Sequence, residues 1–339
     1  MSEEFTSILK RAAAGETLDA DASARAFTAI MAGEIVEAQM AAFLTALAMR
    51  KPSVAEIAGA ARAMRSVMKT VEAPASAIDL CGTGGDGHGT LNISSAVSFV
   101  VAACGVPVAK HGNRNMSSRT GAADVLEALG VKIDLSPEVA GACLSQTGLC
   151  FLFAQAYHPA MKHVAPVRRA LGFRTIFNLL GPLSNPARVR RQLIGVYAKE
   201  WLEPVAHVLA TLGAEKAWVV HGNDGLDEIT TTDITHVAVL ADGRVTTITI
   251  APEDAGLTRT TLASLQGGAP NENAAAIRLL FDGEPGPYRD IVLLNAAAAL
   301  MVADKAENLR EGALLAAKAI DDGAAKRVLE KLVAVSNSQ

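Results

Sequence analysis

The segment Gly82-Thr-Gly-Gly-Asp-Gly-His-Gly-Thr90 constrains the fold more than any other part of the chain. Four of its first six residues are glycine. It follows a short apolar run, Ala77–Cys81, and precedes a helical pattern, Asn92–Cys104, that Gly105 closes. Strand, glycine loop and helix in that order open a βαβ unit. Glycines let backbone N–H groups converge on an anion with no Cβ in the way, and the following helix N-terminus adds partial positive charge. The loop also spells Gly82-x-Gly84-x-x-Gly87, yet the next strand ends Val108-Ala-Lys110, basic where a dinucleotide site wants an acid for the ribose. No Gly-Lys-Ser/Thr follows for a P-loop. A phosphate nest is therefore predicted, and a dehydrogenase is not.

The same rhythm continues along the chain. Val106–Lys110 reads as a strand, Gly121–Leu129 as a helix closed by Gly130, and Pro137–Thr147 as a helix capped by Ser136. Cys150–Phe153, Leu193–Tyr197, Ala217–His221 and Val237–Leu240 read as further buried strands. The turn signal Asp242-Gly243 joins Thr235–Leu240 to Arg244–Ile250 as an antiparallel edge. The expected fold class is α/β: a small all-helical N-terminal domain plus a larger domain with a mostly parallel central sheet flanked by helices. Residues 1–72 carry helical periodicity only, with Val36, Met40, Phe43, Leu44 and Leu47 on one face and a capping box at Ser53-Val-Ala-Glu56. From about Asn271 the chain returns to Ala-rich helices. The stretch from His158 to Pro186 is dense in breakers and basic residues, and reads as an excursion from the sheet back to the N-terminal helices. The expected division is 1–72, completed by part of 160–185, and then 73–159 with 186–339.

At 339 residues the chain suits about two domains. It is 50% hydrophobic and 19% charged, enough for a sizeable core. Lys plus Arg (31) against Asp plus Glu (35) leaves −4, so no global charge draws it to nucleic acid or an anionic membrane. The longest quiet stretches, Ser95–Ala109 and Ile291–Ala303, are too short to span a bilayer, and Met1–Phe5 does not open a secretory signal. Cys81, Cys104, Cys143 and Cys150 form no CxxC pair and read as reduced, buried small hydrophobes. A soluble cytoplasmic enzyme is expected.

Ligands of open parallel sheets gather at the carboxyl ends of strands. Two successive strand ends present the glycine loop and Lys110-His-Gly-Asn-Arg-Asn-Met-Ser-Ser118, a pairing suited to a polyphosphorylated ligand. Asp227-Glu228 follows a later strand through Gly222-Asn-Asp-Gly225. The pair is either a solvated turn or, in an irregular loop, two hard oxygen ligands for Mg2+. Arg168 and Arg169 lie in the excursion beside His158, Lys162 and His163; they are surface arginines or a bidentate carboxylate clamp. The histidines lack zinc spacing. Arg188, Arg190 and Arg191 read as a solvated turn. No nucleophile motif is present.

GTGGD (82–86), NIS (92–94), KHGNR (110–114), HPAMKHVAPVR (158–168), RTIFNLLGPLSNP (174–186), GLDE (225–228) and RDIVLLNAAAAL (289–300) together strongly resemble the anthranilate phosphoribosyltransferase family. The likeness runs over almost the whole chain, including MAGE (31–34) and EIAGA (56–60). It implies a fold of the nucleoside phosphorylase/phosphoribosyltransferase type and a homodimer formed through the helical domain. It implies transfer of phosphoribose from phosphoribosyl pyrophosphate (PRPP) to the amine of anthranilate, in tryptophan biosynthesis. On this likeness PRPP meets Gly82, Gly85, Asp86, Thr90, Asn92, Ile93, Ser94, Ser95, Lys110, His111, Gly112, Asn113, Arg114, Asn115, Met116, Ser117, Ser118 and Ala122. Anthranilate lies near Gly82, Asn113 and Arg168; Mg2+, with two ions possible, is held by Ser94, Asp227 and Glu228. Lys110 and Arg168 are the expected catalytic contacts. Ser95, Thr120, Ala122 and Gln155 depart from residues frequent in the family, and Ala122 has no hydroxyl to offer.

Two other readings compete. A pyrimidine-nucleoside phosphorylase shares the fold but needs one phosphate site and no acidic pair. A fold relative turned to nucleic-acid binding predicts a basic face and loss of the site residues. The GLDE and KHGNR segments and the charge of −4 favour the transferase.

Overall fold

A computed structural model describes residues 3–114 and 120–338. Four helices, Glu3–Ala13, Ala20–Met31, Glu37–Arg50 and Val54–Val67, precede a single seven-stranded sheet. Its strands are β1 (Ile78–Gly82), β2 (Val108–Gly112), β3 (Leu149–Phe153), β4 (Arg191–Gly195), β5 (Lys216–Gly222), β6 (Thr235–Ala241) and β7 (Arg244–Ile250). The order is β3-β2-β1-β4-β5-β6-β7. Pairings from β3 through to β5 are parallel, and β6 and β7 add an antiparallel edge. Every residue of β3, Leu-Cys-Phe-Leu-Phe, is buried, as helices on both faces require. The outer strand β7 is threonine-rich and mostly exposed, which blunts a free sheet edge.

Boundaries follow the expected strands within two residues, and one of the shifts is informative. Arg191, read from sequence as part of a solvated turn, opens β4 opposite Ile78 and Lys216. Its guanidinium reaches Asp304 and Glu215, which an arginine at a strand end can do because only the head of its long side chain needs polar surroundings. All four cysteines are free; Cys143 and Cys150 are buried as expected, whereas Cys81 and Cys104 are only partly covered.

Two cores flank the sheet. In one, helix Ile93–Ala103 covers β1 to β3 and helix Pro287–Val302 covers β4 and β5, with Phe99 set edge-on to Phe281 at 5.7 Å. In the other, the N-terminal helices, helix Leu202–Thr211 and the opposite sheet face (Ile194, Val219, Ala238) share one apolar interior. Val164, Val167, Ile176, Phe177, Leu180 and Leu183, all from the breaker-rich stretch, pack in this second core, and Phe177 meets Phe27 edge-on at 5.6 Å. The capping box at Ser53 forms, and its Glu56 is wholly buried. That charge is satisfied by Arg50, by the Ser53 N–H and by the Leu18 N–H across 38 residues of sequence. Among the described residues no helix is long and apolar enough to cross a membrane.

Strand β1 lies between β2 and β4, so the chain's progression across the sheet reverses there, and the crevice outside these carboxyl ends is the place for a ligand. Gly82 of β1 and Gly195 of β4 are register partners at that point. The segment around Asp227 crosses directly over them. A Cβ on Gly195 would lie 1.6 Å from the Asp227 carbonyl oxygen, and one on Gly82 would lie 2.5 Å from its carboxylate Oδ2. The two glycines thus cut the notch that seats the acidic segment. Gly195→Ala is expected to cost about 1–3 kcal/mol by overpacking and to displace Asp227. Equilibrium denaturation of the variant checks this; wild-type stability would contradict the notch.

Candidate active site

The glycine loop keeps its shape by a few ties to its surroundings. Gly84 and Gly85 are consecutive left-handed residues (φ 67° and 80°), a conformation that turns successive N–H groups toward one side. The Thr83 N–H donates to Gly195 O at 2.9 Å, and the Gly84 N–H to Asp227 Oδ2 at 2.7 Å. On the far side Gln266 Nε2 donates to His88 O, and the Gly267 N–H to Gly89 O. Among the described residues the N–H groups of Gly85, Asp86 and Gly87 have no protein acceptor. Such a loop suits an anion.

Beside it lie Asp227 and Glu228. Each residue keeps a partly exposed edge, but the carboxyl groups are ringed by protein. Burial, and then the neighbouring Asp86, push Asp227 up to about 7. Burial, and then Asp227 itself, push Glu228 up to about 8. The Ser94 N–H at the start of helix Ile93–Ala103 faces the Glu228 carboxylate. Ser94 Oγ accepts from Lys110 Nζ at 3.1 Å, and the same ammonium donates to Leu80 O. Lys110 is 3% exposed, so its charge sits beneath the loop and alongside the acids. Among the described residues no three His, Cys, Asp or Glu side chains form a ready-made metal cage. Two carboxylates with a hydroxyl, next to a phosphate-shaped loop, are the donor set of Mg2+, which commonly completes its shell from substrate phosphates and water.

The remaining expected residues are placed as follows. Thr90 bridges to Gln266, and Asn92 precedes the helix with its amide spent on Thr120 O and Asn273. The side chains of Ile93 and Ser95 are buried, Ile93 within the first core, which leaves its backbone for any ligand. Gly112 packs against the Phe151 ring and Ala122 Cβ. Asn113 Oδ1 accepts the Arg114 N–H, while the Arg114 guanidinium pairs with Asp124 and Glu127 and lies 5.6 Å from the Phe153 ring centre. Asn115, Met116, Ser117 and Ser118 lie outside the described residues.

His111 points to the opposite face of β2 from Lys110. Its Nδ1 bonds Gly181 O at 3.0 Å and its ring lies 5.1 Å from His158. Burial lowers His111 to about 3 and His158 to about 4, so both are neutral at ordinary pH. Arg168, in helix Ala165–Leu171, is half-buried over the Phe177 ring at 5.7 Å and has no carboxylate partner among the described residues. Burial lowers its pKa, the mark of a cation lacking compensation.

Three contributors escaped sequence reading. Asn295, a polar residue in the otherwise apolar helix Pro287–Val302, holds both the N–H and the carbonyl of Ile229, directly after Glu228. Its isolation among alanines and leucines was the available signal. Asp86 was expected at PRPP, but its electrostatic contact with Asp227 was not. Arg174 donates to Gly85 O across 89 residues of sequence and stacks 4.3 Å from the Tyr197 ring centre. It lies in the segment RTIFNLLGPLSNP, where no neighbour in sequence signals its partner.

The chain is similar to known proteins over nearly its whole length. Residues 74–326 match the model of the glycosyl transferase family a/b domain, and residues 6–68 that of its helical bundle domain. The chain is 57% identical over 336 residues to the anthranilate phosphoribosyltransferase of Parvibaculum lavamentivorans, covering 99% of this chain and 98% of that one. The crystal structure of anthranilate phosphoribosyltransferase from Thermus thermophilus superposes with a TM-score of 0.93 at 44% identity, covering 98% of this chain and 99% of the other. The Saccharomyces cerevisiae enzyme in complex with PRPP and Mg gives 0.91 at 27% identity, with coverage of 100% and 99%.

The raised carboxyls give a pH signature. A carboxyl with a raised folded pKa stabilises the fold below its unfolded pKa and loses that contribution as pH rises through the folded value, here about 7 for Asp227 and about 8 for Glu228. The depressed histidines contribute fully above their unfolded pKa of about 6.5 and add no slope there. Without divalent cation, Tm is therefore expected to fall between about pH 6.5 and 8. Mg2+ should raise Tm more at the upper end than at the lower. Differential scanning fluorimetry checks both, and a magnesium shift independent of pH would contradict the assignment.

Proposed function

The chain belongs to the anthranilate phosphoribosyltransferase family, and from that premise we infer how its own residues carry the reaction. The 5-phosphoribosyl group passes from PRPP to the amine of anthranilate, giving N-(5-phosphoribosyl)anthranilate and pyrophosphate, in tryptophan biosynthesis. The observation that carries the inference is the meeting at one crevice of the unpaired N–H groups of Gly85 to Gly87 with Asp227 and Glu228.

The pyrophosphate rests on the glycine loop and the helix start at Asn92 to Ser95, with Lys110 beneath. The segment from His111 to Ser118 and Ala122 borders the ribose phosphate. Ser94, Asp227 and Glu228 hold Mg2+, which when bound neutralises charge on the departing pyrophosphate. The C1–O bond to pyrophosphate breaks with oxocarbenium character at C1, and the new C1–N bond forms from the anthranilate nitrogen, whose proton leaves to water. An aromatic amine is neutral near pH 7, so no base has to free its lone pair. The protein's work is positioning and electrostatic stabilisation. Arg168 holds the anthranilate carboxylate, with Gly82 and Asn113 along the ring.

We further propose the division of the chain into 1–72 with part of 160–185, and 73–159 with 186–339. The packing of Val164, Val167, Ile176 and Phe177 with the N-terminal helices supports joining that stretch to them, while Ile194, Val219 and Ala238 continue the same interior onto the sheet. A cytoplasmic homodimer through the helical part is proposed as well; Met49 (84% exposed) and Val36 (54%) leave apolar surface on that part.

Loss of anthranilate fluorescence that requires enzyme, PRPP and Mg2+ together tests the reaction; no loss despite PRPP binding would move the search to another acceptor. Arg168→Ala removes charge-assisted hydrogen bonds of about 1.5–3 kcal/mol, so the anthranilate KM should rise roughly 10- to 100-fold with the PRPP KM little changed. An unchanged anthranilate KM would remove Arg168 from the site.

A further inference from the structure

Most of the ties that shape the glycine loop come from its own half of the molecule: Gly195, Asp227, Gln266 and Gly267. Arg174 is the exception. It stands three residues beyond the end of helix Ala165–Leu171, in the stretch whose apolar residues pack with the N-terminal helices, and its Nη2 donates to Gly85 O. Arg174 is exposed, and an exposed arginine ordinarily wanders among rotamers. Here its guanidinium is stacked on Tyr197, 4.3 Å from the ring centre. Tyr197 is itself fixed. Its N–H donates to Thr83 Oγ1 at 3.0 Å, and its hydroxyl is hydrogen-bonded by the Trp201 side chain. Loop, ring and arginine thus close a circuit that begins at Thr83 and ends at Gly85.

The carbonyl of Gly85 and the N–H of Asp86 lie on opposite edges of one trans peptide plane. A donor that captures the carbonyl from one side aims that N–H to the other. With glycine at 84, 85 and 87, the chain itself does little to fix this plane. We propose that Arg174, braced on Tyr197, is a positioning residue for the phosphate nest: by holding Gly85 O it presents the Asp86 N–H to the pyrophosphate of PRPP, and it links the nest to the segment that carries Arg168. This deepens the reading of the loop as the PRPP site and rests on that reading.

A positioning role separates from a direct charge contact in a calorimetric titration of PRPP with Mg2+ into the whole enzyme. Loss of one hydrogen bond of ordinary net strength predicts that Arg174→Ala raises the PRPP Kd about fivefold or more, with anthranilate KM at saturating PRPP moving less than about twofold. Tyr197→Ala should reproduce the loss although the ring need not touch ligand, and the double variant should be no worse than either alone. Arg174→Lys, an exposed change that keeps the charge but not the planar stack, should recover less than half of the loss. Full recovery by lysine, additive losses, or an unchanged Kd in Arg174→Ala would each overturn the proposal. A wild-type enzyme that does not bind PRPP would overturn the reading of the nest, and this inference with it.

Discussion

The crossing of the Asp227 segment over Gly82 and Gly195 is the contact on which the rest of the site depends. It occurs where the strand order reverses and the helices that follow two adjacent strands, β1 and β4, lie on opposite faces of the sheet. The clearance is so small that a single methyl group on Gly195 would overlap the Asp227 carbonyl. In return, the carboxylate of Asp227 accepts the Gly84 N–H, Glu228 faces the Ser94 N–H, and Asn295 holds the next residue by both its backbone groups. Acidic segment, glycine loop and helix start are therefore one mechanical unit. The cost is two poorly hydrated carboxyl groups, and burial first, then Asp86 beside Asp227 and Asp227 beside Glu228, holds both above the usual carboxylate range. A cation among phosphates relieves that cost, so occupancy of the site and stability of this part of the fold are linked.

Sequence made the local pieces legible because each has a short-range cause. The glycine density of 82–89, the Ser53 capping box, the Ser136 cap and the Asp242-Gly243 turn are decided within a few residues, and each stands as expected. Strand order is a different matter. Apolar runs such as Leu149–Phe153 and Leu193–Ile194 are interchangeable as far as periodicity goes, and only the completed packing puts β4 beside β1. The same limit hid Arg191, whose long stem made a strand end out of an apparent turn. Arg174 and Asn295 were illegible because their partners lie 89 and 66 residues away in the chain. Arg114 illustrates the converse. Its place in a loop facing the nest was readable, but not the competing claim of Asp124 and Glu127 on its guanidinium.

Strand β2 shows how one short segment serves both sides of the sheet. Because side chains alternate along a strand, Lys110 and His111 are driven to opposite faces. Lys110 is carried under helix Ile93–Ala103 toward Ser94, and His111 into the interior shared with Gly181 and His158. The cation lies on the phosphate side, where negative charge must be balanced. The histidine lies on the side of the excursion, where burial strips it of its proton.

That loss of charge bears on the acceptor side of the reaction. With His111 and His158 both neutral, neither adds a titrating cation on this side of the sheet. Arg168, an arginine and so a cation near neutral pH even with burial lowering its pKa, lies on an aromatic face without a carboxylate of its own among the described residues. A partly dehydrated arginine in that state gains more from a ligand carboxylate than a solvated one would, because part of the desolvation cost has already been met in folding. In the function proposed above, the anthranilate carboxylate would complete an ion pair the fold has left half-made. The amine, needing no deprotonation, has only to be held in line with C1. On that proposal the division of labour is electrostatic at both ends, a pre-set anion nest for the leaving group and a pre-set cation for the acceptor. Arg174, a little further along the same excursion as Arg168, reaches back from the second to shape the first.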